Sequence, residues 1–290
     1  MNTINHLMRC IWMSFIFLLP VIDLMAQFDS SEDTNLPKKY QFNGYIKDLV
    51  TIGFADDSTT FDNLIHNRLN FKWFMADNMT FFLDVRNRLF TGNTVKYVEG
   101  YDRGVDSNYD YFDFSAQGPQ NESWLFQSMI DRAYLEWYKG DWELRAGRQR
   151  INWGVNLIWN PNDLFNVYSF FDFDYEERPG SDAIRIKKYM GFASSFELAA
   201  NYHDDFDEVV MAGMWKTNKW GYDFQLLAGK AQKDLALGAG WAGNVGDGGF
   251  KGEVTWFRPY TDRNLLSTAL LASISADYSF ESSFYLHGSV

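Results

Sequence analysis

The sequence predicts an all-β chain, an antiparallel transmembrane β-barrel with about 13 strands visible. Three observations predict it. Residues 61–92 and 126–151 each read as two strands joined by a tight turn, with side chains alternating between an apolar and a charged face. Aromatic residues make up 18% of the 290 residues, and paired aromatics fall beside the short turns, where a membrane interface would lie. The mean hydropathy is negative, and no run after residue 26 is long and apolar enough for a transmembrane helix. Barrel strands give this combination because half of their residues are polar. In a soluble sheet the apolar side would meet a core. Here paired tryptophans cap it and the opposite side is densely charged, which fits lipid outside and a wet lumen inside.

Residues 1–26 read as a secretory signal peptide. Arg9 is the charged start, Ile11 to Ile22 the apolar stretch, and Leu24-Met25-Ala26 the cleavage site. Cys10 lies ahead of the apolar stretch, so the mature chain is expected to hold no cysteine, no disulfide and no thiolate. Residues 27–39 are a polar, mobile periplasmic lead-in, and residues 40–290 form one barrel domain.

Strands are predicted at about 40–54, 61–75, 79–92, 126–138, 141–152, 182–189, 194–203, 207–217, 220–231, 234–243, 248–258, 265–278 and 281–290. In the first hairpin a turn at Ala76–Asn78 registers Trp73 with Phe81, Phe71 with Leu83 and Leu69 with Val85. The opposite face holds His66, Arg68, Asn70 and Lys72 against Asp84, Arg86 and Arg88. In the second, a turn at Lys139-Gly140 makes Trp137 face Trp142, Leu135 face Leu144 and Ala133 face Ala146. Its other face carries Arg132, Tyr134, Glu136, Glu143, Arg145 and Gly147.

Short turns are expected at one end, and longer loops at 55–60, 93–125, 153–181 and 259–264 at the other, as in outer-membrane barrels. The visible count is odd, whereas single-chain bacterial barrels use even numbers. The chain also stops within an alternating run, Leu286 to Val290. The expectation is a chain truncated at its C-terminus, with 14–18 strands when complete. The alternative is a complete barrel with one strand miscounted.

The most distinctive segment is 145–189: Arg145-Ala146-Gly147-Arg148-Gln149, Asn152-Trp153-Gly154, Asn160-Pro161-Asn162-Asp163, Glu177-Arg178-Pro179-Gly180 and Asp182-Ala183-Ile184-Arg185. It resembles Gram-negative outer-membrane porin-like barrels, including the alginate-export-like group. There a strand ending Gly-Arg-Gln runs into Trp-Gly and an Asn-Pro loop. The resemblance covers this segment and implies a channel passing polar, anionic or saccharide solutes. The match to saccharide export stops at Gly147-Arg148-Gln149.

Asn160-Pro161 reads as a helix N-cap followed by proline, opening one helical turn over residues 162–166. The surrounding loop is rich in aromatics (Trp159, Phe165, Tyr168, Phe170, Phe171, Phe173, Tyr175). It either folds into the lumen as a constriction or packs on itself as an outer cap. The constriction candidates are Trp153, Asn160, Asp163, Arg178, Asp182 and Arg185.

The candidate pore-lining residues are Arg68, Arg86, Arg88, Arg132, Arg145, Arg148 and Arg150, with Glu136 and Glu143. Arginine rings favour anions and grip carboxylate or phosphate in bidentate fashion. The competing reading is an internal salt-bridge ladder with Asp84, Glu136 and Glu143. Acidic residues elsewhere, such as Asp102, Asp113, Asp204, Asp205 and Glu208, fall in or beside loops and account for the net charge of -12. A solvated rim is the simpler reading, and divalent-ion bridging to lipopolysaccharide the other.

Several patterns carry nothing. Gly238-Ala239-Gly240-Trp241-Ala242-Gly243 fits a dinucleotide fingerprint but opens no helix. Its small residues are expected to relieve crowding in the wall. The four histidines lack metal-ligand spacing, and no nucleophile elbow is present. The expectation is therefore a non-enzymatic porin-like channel in a bacterial outer membrane, with no cofactor and no metal. Its expected partners are lipid, lipopolysaccharide and small solutes. A pI near 4.7 argues against nucleic acid, and a homo-oligomer is left open. The alternatives are a polysaccharide export barrel, or a plugged barrel with a binding or enzymatic role.

Overall fold

The computed structural model describes residues 39–55, 58–105, 110–118, 123–165, 180–260 and 267–290. The predicted signal peptide, nearly all of the lead-in, Arg178 and the loop aromatics from Tyr168 to Tyr175 lie outside the described residues.

The chain is all-β. Its strands are β1 (Tyr40–Ala55), β2 (Ser58–Ala76), β3 (Met79–Gly92), β4 (Ser115–Gln117), β5 (Trp124–Lys139), β6 (Trp142–Gln149), β7 (Ser181–Tyr189), β8 (Ser195–Asn201), β9 (Val210–Lys219), β10 (Tyr222–Ala231), β11 (Asp234–Val245), β12 (Gly248–Pro259), β13 (Ala269–Ser279) and β14 (Tyr285–Ser289). They form one 14-stranded antiparallel sheet in which every main strand pairs with its neighbour in sequence. The 13 strands read from the sequence are the 13 on this path, and β4 is a short addition pairing with β5. The path runs from β1 to β14, and no hydrogen bonds join those two strands among the described residues. Among the same residues no helix is long and apolar enough to cross a membrane.

The sheet has inverted polarity. On one face Leu198, Met211, Leu226, Leu237, Leu270 and Ile274 are 42–67% exposed. On the other, Arg68, Arg86, Glu143, Glu197 and Glu253 are 1–5% exposed. Strand alternation puts these sets on opposite sides. The strand ends at the short connections carry exposed aromatics, among them Trp73, Trp142, Phe196, Trp215 and Tyr278.

Strand pairing corrects the expected register in one hairpin. β2 and β3 pair as expected, Trp73 with Phe81 and Leu69 with Val85. β5 and β6 instead pair Trp137 with Leu144 and Leu135 with Ala146, a slip of two residues. The turn is Gly140-Asp141 rather than Lys139-Gly140, because Gly140 takes the positive φ of 57° that the turn needs. A slip of two preserves every side chain's face. β6 ends at Gln149, and β2 begins at Ser58, leaving only residues 56 and 57 between β1 and β2.

Two pieces of chain pack onto the polar face. Helices α1 (Asn93–Tyr97) and α2 (Tyr101–Val105), which the pattern did not reveal, cover the loop end of β2, β3 and β5 through Leu64, Phe90, Val95 and Leu125. Segment 151–165 is the larger piece. Ile151, Trp153, Leu164 and Phe165 pack on Ala183, Ala199, Ala212, Met214, Leu227 and Ala236 from β7 to β11. The small wall residues leave room for the segment, which fits folding onto the polar face rather than an outer cap.

Candidate functional site

The charged face is a connected ladder. A bulge in β5 sets it up: Asp84 pairs with Arg132 and Val85 with Ile130, so Asp131 is an extra residue. Asp131 and Arg132 are both buried. Arg68 Nη1 lies 2.6 Å from Asp131 Oδ2 and Arg86 Nη2 lies 3.2 Å from Asp131 Oδ1. Arg68 Nη2 also reaches Asp84 at 3.3 Å, and Arg132 Nη1 donates to the Asp131 carbonyl at 2.8 Å. Nearer the turns, Arg145 bridges Glu136 at 2.5 Å and Glu143 at 2.8 Å. Glu143 also accepts from Arg185 at 2.5 Å and the Tyr189 hydroxyl at 2.6 Å. Phe82 and Tyr134 stack at 4.7 Å, flanked by Lys72 over Phe82 and Arg145 over Tyr134. Cation, ring, ring and cation thus line up across β2, β3, β5 and β6.

Pairing is what burial requires. A lone buried guanidinium costs several kcal/mol, and a carboxylate on two of its nitrogens offsets much of that. The salt-bridge ladder with Asp84, Glu136 and Glu143 is present, extended by Asp131 and Glu197.

The second part of the site is the clamp on segment 151–165. The Glu253 carboxylate on β12 accepts three backbone N–H groups: Oε1 takes Val155 at 2.9 Å and Asn156 at 3.0 Å, and Oε2 takes Asn162 at 2.9 Å. Asn156 Nδ2 donates to Ser273 Oγ at 2.9 Å, and Ser275 Oγ donates to Asn156 Oδ1 at 2.6 Å. Thr255 Oγ1 donates to Asn162 Oδ1 at 2.6 Å, and Asn162 Nδ2 to the Ala239 carbonyl at 3.1 Å. Trp153 Nε1 donates to Glu197 at 2.7 Å, and Gln225 Nε2 to the Trp153 carbonyl at 2.7 Å. The segment is therefore held by β8, β10, β11, β12 and β13 together.

Gly238 and Gly240 belong to this clamp. A Cβ on Gly238 would stand 2.5 Å from Asn162 Oδ1, and one on Gly240 would stand 3.1 Å from Asn162 Nδ2. The dinucleotide-like glycines are the floor under Asn162. The expected helical turn over 162–166 is absent from its described part. Asp163 N donates to the Asn160 carbonyl at 3.1 Å as a single turn. The wall takes both the N–H and the side chain of Asn162.

A third feature is a seam. β6 ends early, so the edge of β5 beyond Ile130 is taken by β4 instead. Arg148 and Asp182 are register partners between β6 and β7, one residue out of step with Arg145 and Arg185. Their pair is bidentate, Nε to Oδ1 at 2.9 Å and Nη2 to Oδ2 at 2.7 Å. Segment 110–118 closes over it. Arg148 Nη2 donates to the Phe112 carbonyl at 2.5 Å, and Phe112 N donates to Asp182 Oδ2 at 2.9 Å. The Phe114 ring lies 4.6 Å from the Arg148 guanidinium.

The predicted residues divide accordingly. Arg68, Arg86, Arg132, Arg145, Glu136 and Glu143 are brought together on the polar face. Arg88 is held by Gln127 Oε1 at 3.0 Å and lies under α2 near the Val105 carbonyl. Arg148 belongs to the seam. Arg150 follows β6, and its Nε has no hydrogen-bond partner among the described residues. Trp153, Asn160 and Asp163 lie in segment 151–165. Asp182 and Arg185, expected in the constriction loop, are instead residues of β7, because that strand starts at Ser181. Sequence reasoning missed Asp131, Asn156, Glu197 and Glu253. Asp131 had a signal: two adjacent charges, Asp131-Arg132, break the alternation and mark a bulge. Among the described residues, no group of three or more His, Cys, Asp or Glu could hold a metal ion.

No family model matches this chain, and no curated protein matches it.

Proposed function

We propose that the chain is a bacterial outer-membrane channel of the porin kind, passing small polar solutes, anionic or saccharide, passively across the bilayer. The observation that carries this reading is the inverted polarity of the sheet. Large apolar residues stand exposed on one face while arginines and carboxylates are buried on the other. That is the polarity of a wall with lipid outside and water within. The exposed aromatics at the short-turn ends fit the headgroup level. The segment around Gly147-Arg148-Gln149 and its likeness to porin-like barrels point the same way.

In this reading segment 151–165 narrows the lumen and the Arg–carboxylate ladder lines it. Because the ladder is paired, selectivity is modest. It comes from the balance of side chains facing the solute rather than from a ring of lone cations. A second reading is a plugged barrel that binds rather than conducts. The Glu253 clamp favours it, since three N–H groups and two asparagines fix the segment firmly.

Single-channel recording in planar bilayers under a salt gradient tests the proposal. Stable openings with a modest ion preference support it. A folded, inserted barrel without conductance replaces it with the plugged reading.

A further inference from the structure

Strands β6, β7 and β8 are the short part of the wall, at 8, 9 and 7 residues. By contrast β2, β3 and β5 have 19, 14 and 16. A strand that crosses the apolar layer of a membrane needs about 9–11 residues, so β6–β8 scarcely reach that span.

At their loop end the outer face carries a row of aromatic rings. Alternation fixes the face. Ala183 of β7 packs on segment 151–165, so Asp182 shares the opposite face with the exposed Ile184 and Ile186. Arg148, its register partner, lies on that face with Trp142 and Leu144. The Arg148–Asp182 pair is thus on the apolar side of the sheet, yet its side chains are only 4% and 5% exposed. Segment 110–114 covers it. Phe114 lies against the Arg148 guanidinium and stacks on Phe112 at 5.6 Å. Phe112 meets Tyr111 edge-on at 4.9 Å, and Tyr111 meets Tyr202 at 4.5 Å. Tyr202 continues the outer-face alternation of Leu198 in β8, and its N–H donates to the Asp182 carbonyl at 2.9 Å. Four rings in contact therefore run from β6 across β7 to β8, and Tyr111, Phe112 and Tyr202 are 36–55% exposed.

β10 repeats the arrangement. Lys230 shares the outer face with its register partners Met211 and Leu235. Its ammonium turns onto the Phe206 and Val209 carbonyls at 2.5 and 2.9 Å, between the Phe206 and Tyr260 rings. Charge on the outer face is again covered by loop aromatics.

We propose that segment 110–114 completes the lipid-facing wall above β6–β8, its rings covering the Arg148–Asp182 pair and meeting membrane lipid at the boundary of acyl chains and headgroups. This rests on the reading of the outer face as the lipid face. Lipid is the occupant because the rings continue the exposed apolar surface of Ile184, Ile186 and Leu198, and because a bare ion pair at that height would be strongly disfavoured. Asp113, exposed between Phe112 and Phe114, accepts from the Ser115 N–H and hydroxyl. Its carboxylate sets the row at the headgroup boundary, the layer that amphipathic rings prefer.

Spin labels on single cysteines test this in the full chain carrying Cys10→Ser, reconstituted in phosphatidylethanolamine–phosphatidylglycerol nanodiscs. The readout is the ratio of collisions with oxygen, which concentrates in lipid, to collisions with a water-soluble nickel chelate. Tyr111→Cys and Phe112→Cys probe the row, each leaving the other ring in place. Ile184→Cys is the reference for the outer wall. Glu99→Cys, exposed between α1 and α2, is the reference for water. The ratio is expected to lie close to that of Ile184→Cys and far above that of Glu99→Cys, and such a ratio at either probe supports the proposal. With Ile184→Cys in lipid, the absence of a lipid-like ratio at both probes overturns it and leaves the lipid-facing wall standing. Water-like ratios then mean a cap in solvent, and exclusion of both reagents means a protein partner such as a second copy. A water-like ratio at Ile184→Cys removes the membrane reading itself, and this proposal with it.

Discussion

Asp131 Oδ2 lies 2.6 Å from Arg68 Nη1, and both side chains are almost fully buried. The same carboxylate faces Arg86 through its other oxygen. One bulged residue thus joins two arginines from different strands, and the polar wall depends on it more than on any single arginine.

The first prediction follows from that asymmetry. Asp131→Ala leaves two buried guanidiniums short of their carboxylate, so it is expected to destabilise by about 3–5 kcal/mol. Arg68→Ala leaves Asp131 still paired with Arg86 and is expected to cost less. Urea unfolding of both variants in detergent measures the order. Equal losses, or a loss under about 1 kcal/mol for Asp131→Ala, contradict the account.

A second prediction concerns ion preference. Arg86→Ala combined with Arg88→Ala removes two cations of the polar face and leaves Asp131 facing Arg68. Permeability is expected to shift from anions toward cations. The reversal potential in a salt gradient reads the shift, and an unchanged value counts against a lumenal role for these arginines.

The floor under Asn162 gives a third. Gly238→Ala places a methyl group in the space of Asn162 and Leu227, and overpacking of this kind costs about 1–3 kcal/mol. The expected signature is local: faster hydrogen exchange at Val155, Asn156 and Asn162, with β1–β3 unaffected. Gly246→Ala is the comparison, since open space surrounds Gly246, although its φ is positive at 61°. A matching response at segment 151–165 in both variants defeats the idea.

Much of the wall was legible in the sequence, and the reasons are physical. Alternation has a period of two, so faces survive small errors. The β5–β6 hairpin was displaced by two residues, yet Glu143 and Arg145 kept their side. The β2–β3 register came out correctly because paired aromatics and a short turn fix it locally. What stayed hidden depends on distant contacts. Nothing near Gly238 announces Asn162, and Glu253 is one acid in a wall strand until segment 155–162 arrives. β4, α1 and α2 lie within a long loop and take their order from packing on β2, β3 and β5. The bulge at Asp131 was written in the adjacent Asp-Arg pair, which strict alternation does not produce.

The clamp offers the most direct test of the central claim that segment 151–165 narrows a water-filled lumen. Glu253→Ala removes the acceptor of three backbone N–H groups while leaving the apolar outer face unchanged. The measurement is single-channel conductance of wild type and Glu253→Ala in the same planar bilayers, after both show the same folded migration in gels. The account predicts a larger and noisier conductance for the variant, because the freed segment no longer holds its place in the lumen. Equal, quiet conductance in the two proteins would contradict it.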